Sequence, residues 1–150
     1  MKLKVLVGAG SRVMGFTLPF IIVGLAANLW RPAWFHMGLE LTGLIAGIVL
    51  LALGVPLWLV SAAQILIHVP KHRLITTGPY ALVLHPLYTS VALLVLPGVG
   101  LVVDSWLGPA IGLILYLSSR MFSPSEDTIL AKVFPTEYPA YRAKVLMPWL

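Results

Sequence analysis

Residues 41–67, LTGLIAGIVLLALGVPLWLVSAAQILI, contain no Asp, Glu, Lys or Arg. A helix needs about 20 apolar residues to cross the hydrocarbon layer, so this run can span with tilt or project into the head groups. Working outward, three further apolar runs cover residues 13–30, 87–103 and 106–119. Only Asp104-Ser105 interrupts the last two, which predicts a tight antiparallel hairpin. Pro19, Pro56, Pro97 and Pro109 fall in or near these runs, and each removes a backbone donor and invites a kink. The tail is different. Pro124-Ser125 precedes Glu126-Asp127, and Ile129, Leu130, Val133 and Phe134 follow at helical spacing. That predicts a surface helix capped by Ser125, with its acids in the first turn. The expected architecture is a single-domain, all-α integral membrane protein: four transmembrane helices plus a C-terminal cytosolic amphipathic helix.

Composition agrees. Of 150 residues, 59% are hydrophobic and 10% charged, against about a quarter charged in soluble domains. The absence of cysteine excludes disulfides, thiolate nucleophiles and Cys-based metal sites. The histidines have no partners at metal-ligand spacing, so no metal is expected. The formal charge is +5, but the basic residues lie at segment ends. That suits anionic lipid head groups rather than nucleic acid.

Charge placement sets topology. With four spans and an inside N-terminus, Lys2, Lys4, Arg12, Lys71, Arg73, Arg120, Lys132, Arg142 and Lys144 are all inside, and only Arg31 is outside. Both termini are therefore expected in the cytosol. A cleaved signal peptide is the alternative for the first run, given its basic start and the small-x-small step Gly24-Leu25-Ala26. Cleavage would leave three spans and termini on opposite sides.

The densest polar cluster is His72 to Tyr88, HRLITTGPYALVLHPLY, between apolar runs. On the proposed topology it shares the cytosolic side with Glu126-Asp127, Tyr138 and Tyr141. Plain readings exist for each residue: His72 and Arg120 as interfacial flanks, Tyr80 and Tyr88 as belt aromatics, Gly78-Pro79 as a turn, and His36 and His68 as interfacial side chains. What argues for more is that so many polar groups fall on one side of so apolar a chain.

Two motifs here resemble the isoprenylcysteine carboxyl methyltransferase family, within the wider group of membrane methyltransferases that includes phospholipid N-methyltransferases. The first is Leu74-Ile75-Thr76-Thr77-Gly78-Pro79-Tyr80 followed by His85-Pro86-Leu87-Tyr88. The second is Glu126-Asp127-Thr128-Ile129-Leu130, then Phe134, Tyr138, Tyr141 and Pro148. The match runs from Gln64 to the end. Three positions depart from the family pattern: Leu84 for an Arg before His-Pro, Asp127 for a second Glu, and Pro135 for a Gly.

The resemblance implies an S-adenosylmethionine-dependent enzyme in which His72, Arg73, Leu74, Ile75, Tyr80, His85, Pro86, Leu87 and Tyr88 touch the cofactor, with Gln64 one residue out of register. The chemistry is suitable. His72, Arg73 and His85 can donate to a carboxylate, Glu126 can accept from hydroxyls or ammonium, and Tyr80 and Tyr88 can stack on adenine or face the sulfonium, worth about 0.5–2 kcal/mol. Arg120 is expected to orient an acceptor carboxylate, with Glu126 holding Arg120 or the cofactor. The favoured reaction is carboxyl O-methylation of an isoprenylcysteine-like or other lipidic acceptor. So short a chain resembles the compact prokaryotic members, which points to a plasma-membrane enzyme; a phospholipid amine or small thiol is the alternative acceptor. A non-catalytic membrane scaffold is the rival from another class, but it has no use for Tyr80, His85, Tyr88 and Glu126 together. The two motifs are expected to enclose one nucleoside-sized cavity.

Overall fold

Gly43, Gly47 and Gly54 are buried along one side of the long apolar helix, and there a second helix lies against it. A Cβ on Gly47 would sit 2.7 Å from the Gly98 carbonyl oxygen, so backbone meets backbone. This contact organises half of the fold in the computed structural model, which describes residues 3–150, with side chains from Gly10 onward. Lys2 and the Lys4 side chain, both used in the charge argument, lie outside the described residues.

The helices are α1 (Leu3–Trp30), α2 (Glu40–His68), α3 (Pro79–Leu82), α4 (Pro86–Ser90), α5 (Leu96–Val102), α6 (Leu107–Val133) and α7 (Glu137–Arg142); one π-helical turn, Val91–Val95, joins α4 to α5. No strand forms among the described residues; two isolated bridges, His36 with Ser105 and Val83 with Met147, are the extended pairings. α2 packs on α5, α5 on α6, and α6 on α1. Two helices, Gly10–Trp30 and Glu40–Lys71, are long and apolar enough to cross a membrane, and Pro86–Val102 is a shorter apolar helix. Their outward faces carry large exposed apolar side chains, including Val23, Leu29, Leu41 and Leu53, as lipid-facing surfaces do.

The hairpin predicted at Asp104-Ser105 forms between α5 and α6. Asp104 takes a positive φ of 51° and holds the opposite loop: Oδ1 accepts from the Leu39 N–H at 3.1 Å, and Oδ2 lies 2.6 Å from His36 Nδ1. The π turn precedes Pro97, which has no N–H to give, and Gly112 lets α6 press against the Ala92 carbonyl there. A Thr17–Ser118 hydroxyl contact of 3.1 Å, both residues fully buried, joins α1 to α6.

One expectation fails. No separate surface helix starts at Ser125: α6 runs unbroken through Pro124, and residues 129–133 are its last turns. Ser125 is no cap, because its hydroxyl donates back to the Phe122 carbonyl at 2.6 Å. Glu126 and Asp127 are therefore well inside a helix, and a helix N-terminus does not account for them. Pro124 removes one backbone bond without ending the helix, as Pro19 and Pro56 do in α1 and α2.

Candidate functional site

The chain after α2 turns sharply, and His72 ends the turn in a left-handed conformation with φ 53°. Extended residues then lead to Gly78, whose φ of 61° opens α3. Pro79 and Pro86 each start a short helix at a position where a missing N–H costs nothing. His85 is thereby fixed just before α4, and Tyr88 stands on its first turn.

α6 brings Glu126 and Asp127 to meet them. The Tyr88 hydroxyl donates to Glu126 Oε1 at 3.1 Å. The His85 ring lies between the two acids, with Nδ1 3.5 Å from Glu126 Oε2 and Nε2 3.2 Å from Asp127 Oδ1. Asp127 Oδ1 also accepts from the Tyr138 hydroxyl at 2.5 Å. All of these side chains are largely buried: 12% of His85, 10% of Glu126 and 18% of Asp127 is exposed.

The two acids experience opposite fields. Burial raises Glu126 above the ordinary carboxylate range, and the charge of His85 and the Tyr88 hydrogen bond only partly offset it. Burial also pushes Asp127 up, but hydrogen bonds from His85 and Tyr138 and the nearby Arg142 charge outweigh it and hold Asp127 below its usual value. Burial likewise pushes the phenols of Tyr80, Tyr138 and Tyr141 well up, so they remain donors at neutral pH.

The last residues are stitched onto this loop. The Tyr141 hydroxyl donates to the Tyr80 carbonyl at 2.7 Å, and the N–H groups of Leu146 and Met147 donate to the carbonyls of Ala81 and Leu82. Leu84, Tyr138, Tyr141 and Val145 form one buried apolar cluster. Leu84, where the motif has an arginine, is thus a core residue.

Two cavities flank the cluster rather than the one expected. The first, about 400 Å³ and mostly apolar, is lined by Arg73, Leu74, Ile75, Tyr80, His85, Leu87, Tyr88 and Glu126, with Gly10 and Met14 of α1 and Ile65 and Leu66 of α2. The second, about 620 Å³ and more polar, is lined by Arg120, Ser123, Thr128, Lys132 and Arg142. Leu84, His85, Asp127 and Tyr138 border both.

Seven of the ten residues expected at the cofactor therefore share one cavity wall. His72, Pro86 and Gln64 line neither cavity. Pro86 sets the helix start. Gln64 faces Thr77, with Nε2 3.4 Å from its hydroxyl, and Gln64 Oε1 is buried without a partner. The pairing of Arg120 with Glu126 does not occur: Glu126 is bonded to Tyr88 and His85, and Arg120 lines the other cavity. Six residues along a continuous helix put the two side chains about 120° apart around its axis. Asp127, Tyr138, Lys132 and Arg142 were not among the expected site residues. Asp127 and Tyr138 had a signal, in the second motif; Lys132 and Arg142 read only as flanking charges.

The residues able to hold S-adenosylmethionine fit it chemically. The 400 Å³ cavity lies within the roughly 300–1,000 Å³ of small-molecule sites. It offers four phenol rings, a guanidinium, two carboxylates and aliphatic walls. Among the described residues no group of His, Asp and Glu could hold a metal ion. The model of the isoprenylcysteine carboxyl methyltransferase (ICMT) family matches residues 41–132. No curated protein and no solved structure matches the chain.

Proposed function

The chain belongs to the isoprenylcysteine carboxyl methyltransferase family of membrane methyltransferases, and from that premise we propose that it transfers a methyl group from S-adenosylmethionine to a lipidic acceptor, with a carboxylate as the favoured nucleophile. The observation that carries this reading is the clasp of Glu126 and Asp127 around His85, with Tyr88 on Glu126. It joins two segments 38 residues apart into the wall of one cavity. A scaffold gains nothing from burying three ionisable groups together at a cavity edge.

S-adenosylmethionine, when bound, supplies an electrophilic methyl on a sulfonium. The protein's part is to hold and shield. Tyr80 and Tyr88 offer aromatic faces to adenine or the sulfonium. Arg73 offers a donor to the amino-acid carboxylate, and Glu126 an acceptor to ribose or ammonium. Leu74, Ile75 and Leu87 exclude water. Arg120, across the His85–Asp127 border, orients the acceptor. A carboxylate acceptor is already a nucleophile and needs no base. Alignment and desolvation then carry catalysis, and orientation alone is worth about 7–11 kcal/mol in well-aligned pairs. In this reading the four helical stretches traverse a plasma membrane, and both termini and the site face the cytosol.

Purified protein in detergent should bind S-adenosylhomocysteine by calorimetry, and His85→Ala should weaken that binding; a wild-type protein without measurable binding would overturn the enzymatic reading. Membranes given methyl-labelled donor should yield a base-labile product. A base-stable label keeps methyl transfer but assigns it to an amine or thiol. A C-terminal reporter that reads extracellular would overturn the orientation.

A further inference from the structure

The 620 Å³ cavity holds more positive charge than one carboxylate needs. Arg120 and Lys132 of α6 and Arg142 of α7 all line it. The acid on its wall, Asp127, already accepts from His85 and Tyr138. Arg120, Lys132 and Arg142 make no direct ion pair among the described residues. The apolar cavity, by contrast, has one arginine, Arg73, and no lysine on its wall, which also carries Glu126 and Asp127. A single guanidinium satisfies a carboxylate with two parallel bonds. Three cations around one space, with the hydroxyl of Ser123, suit a group with more oxygens and more charge.

The surface leading to the cavity indicates what carries that group. Leu113 and Leu117 of α6 are 56% and 52% exposed. Leu113 lies seven residues before Arg120, and seven residues bring a helix back to within about 20° of the same face. An exposed apolar stripe thus runs along α6 and ends at Arg120, at the mouth of a cationic cavity. Chains lying along Leu113 and Leu117 would deliver a head group to Arg120.

We infer that this cavity is a subsite for a phosphate-class head group, bound by Arg120, Lys132 and Arg142 and carried by an anionic amphiphile lying along α6. Its assignment to the methyl acceptor rests on the methyltransferase reading, whereas anion binding itself does not. The methylated atom is then a second group on the same head, reaching past His85 and Asp127. Lys132 and Arg142 become residues that determine which acceptor is used.

The test is binding to the full-length protein in neutral detergent, with short-chain phosphatidylglycerol, inorganic phosphate and decanoate as separate probes. Phosphatidylglycerol should bind, and the double variant Lys132→Gln/Arg142→Gln should weaken it about thirtyfold, on roughly one lipid-facing charge per substitution. Lys144→Gln, which removes an exposed charge outside both cavities, should leave binding unchanged. Inorganic phosphate binding as tightly as the lipid supports the phosphate site and gives it a soluble source. Decanoate binding as tightly as phosphatidylglycerol overturns the phosphate class. Absence of binding by all three probes, or a double variant no weaker than Lys144→Gln, overturns the site. S-adenosylhomocysteine affinity, measured on the same samples, separates the two readings: if it is absent while the lipid response persists, methyl transfer fails and the anion site stands.

Discussion

Neutralising each of two adjacent carboxylates should move stability in opposite directions. Asp127 accepts two charge-assisted hydrogen bonds, from His85 Nε2 at 3.2 Å and Tyr138 at 2.5 Å. Each is worth about 1.5–3 kcal/mol, and roughly half survives with a neutral acceptor. Asp127→Asn should therefore cost about 1.5–3 kcal/mol, a fall in thermal midpoint of about 3–12 °C for a chain of this size. Glu126→Gln should raise the midpoint at neutral pH, because burial makes the ionised form of Glu126 unfavourable and the amide keeps an acceptor for Tyr88. The pH dependence follows from the signs. Asp127, held below its ordinary 3.8, contributes stability that is present above that pH and lost as pH falls through its folded value. Glu126, raised above 4.5, contributes stability that is full below that pH and lost as pH rises through its folded value. The Asp127→Asn deficit should thus close in acid below 3.8, and the Glu126→Gln gain should vanish below 4.5. Thermal unfolding of the purified variants in detergent across pH measures both. Two substitutions that shift the midpoint in the same direction at pH 7 would refute the reasoning.

Other substitutions probe the frame. Gly112→Ala drives a methyl group into the Ala92 carbonyl where α6 crosses the π turn, and should cost about 1–3 kcal/mol, read as a lower thermal midpoint. Tyr141→Phe removes the donor to the Tyr80 carbonyl; it should cost about 1 kcal/mol and weaken S-adenosylhomocysteine binding in calorimetry, because Tyr80 lines the cavity. Asp104→Ala releases His36 and the Leu39 N–H at the opposite end of the bundle, so it should lower the midpoint and leave S-adenosylhomocysteine affinity unchanged.

Much of this was legible because apolar length and charge placement act locally. Residues 41–67 are helical throughout, with the helix running one residue past each end, and Asp104-Ser105 makes the predicted turn. The grouping of Leu74, Ile75, Tyr80, His85, Leu87 and Tyr88 on the wall of the apolar cavity has another reason: they are close in sequence, so one segment presents them together. The stitching of the tail onto residues 81–84 was not legible, since it uses backbone groups that any sequence supplies. Nor was the two-cavity arrangement, which depends on Leu84 being drawn into the core by Tyr138, Tyr141 and Val145. The misplaced helix start has a single cause. Pro124-Ser125 followed by two acids has the composition of a capped N-terminus, but the helix is already running from Leu107, and a proline inside it removes one backbone bond without ending it.

That continuity explains how one helix serves both cavities. Arg120, Ser123, Pro124, Asp127, Thr128 and Ala131 follow the spacing of a single helical face and line the polar cavity. Glu126, Leu130 and Phe134 follow it on the neighbouring face and line the apolar one. Asp127 borders both, and so does His85, which it holds. A separate surface helix capped by Ser125, as the sequence suggests, would put the two faces on a different element from Arg120. An unbroken α6 fixes their separation instead: seven residues from Arg120 to Asp127 span about 10 Å along the axis. If donor and acceptor occupy these two cavities, as proposed, the continuous helical stretch from Arg120 to Asp127 sets the distance between them.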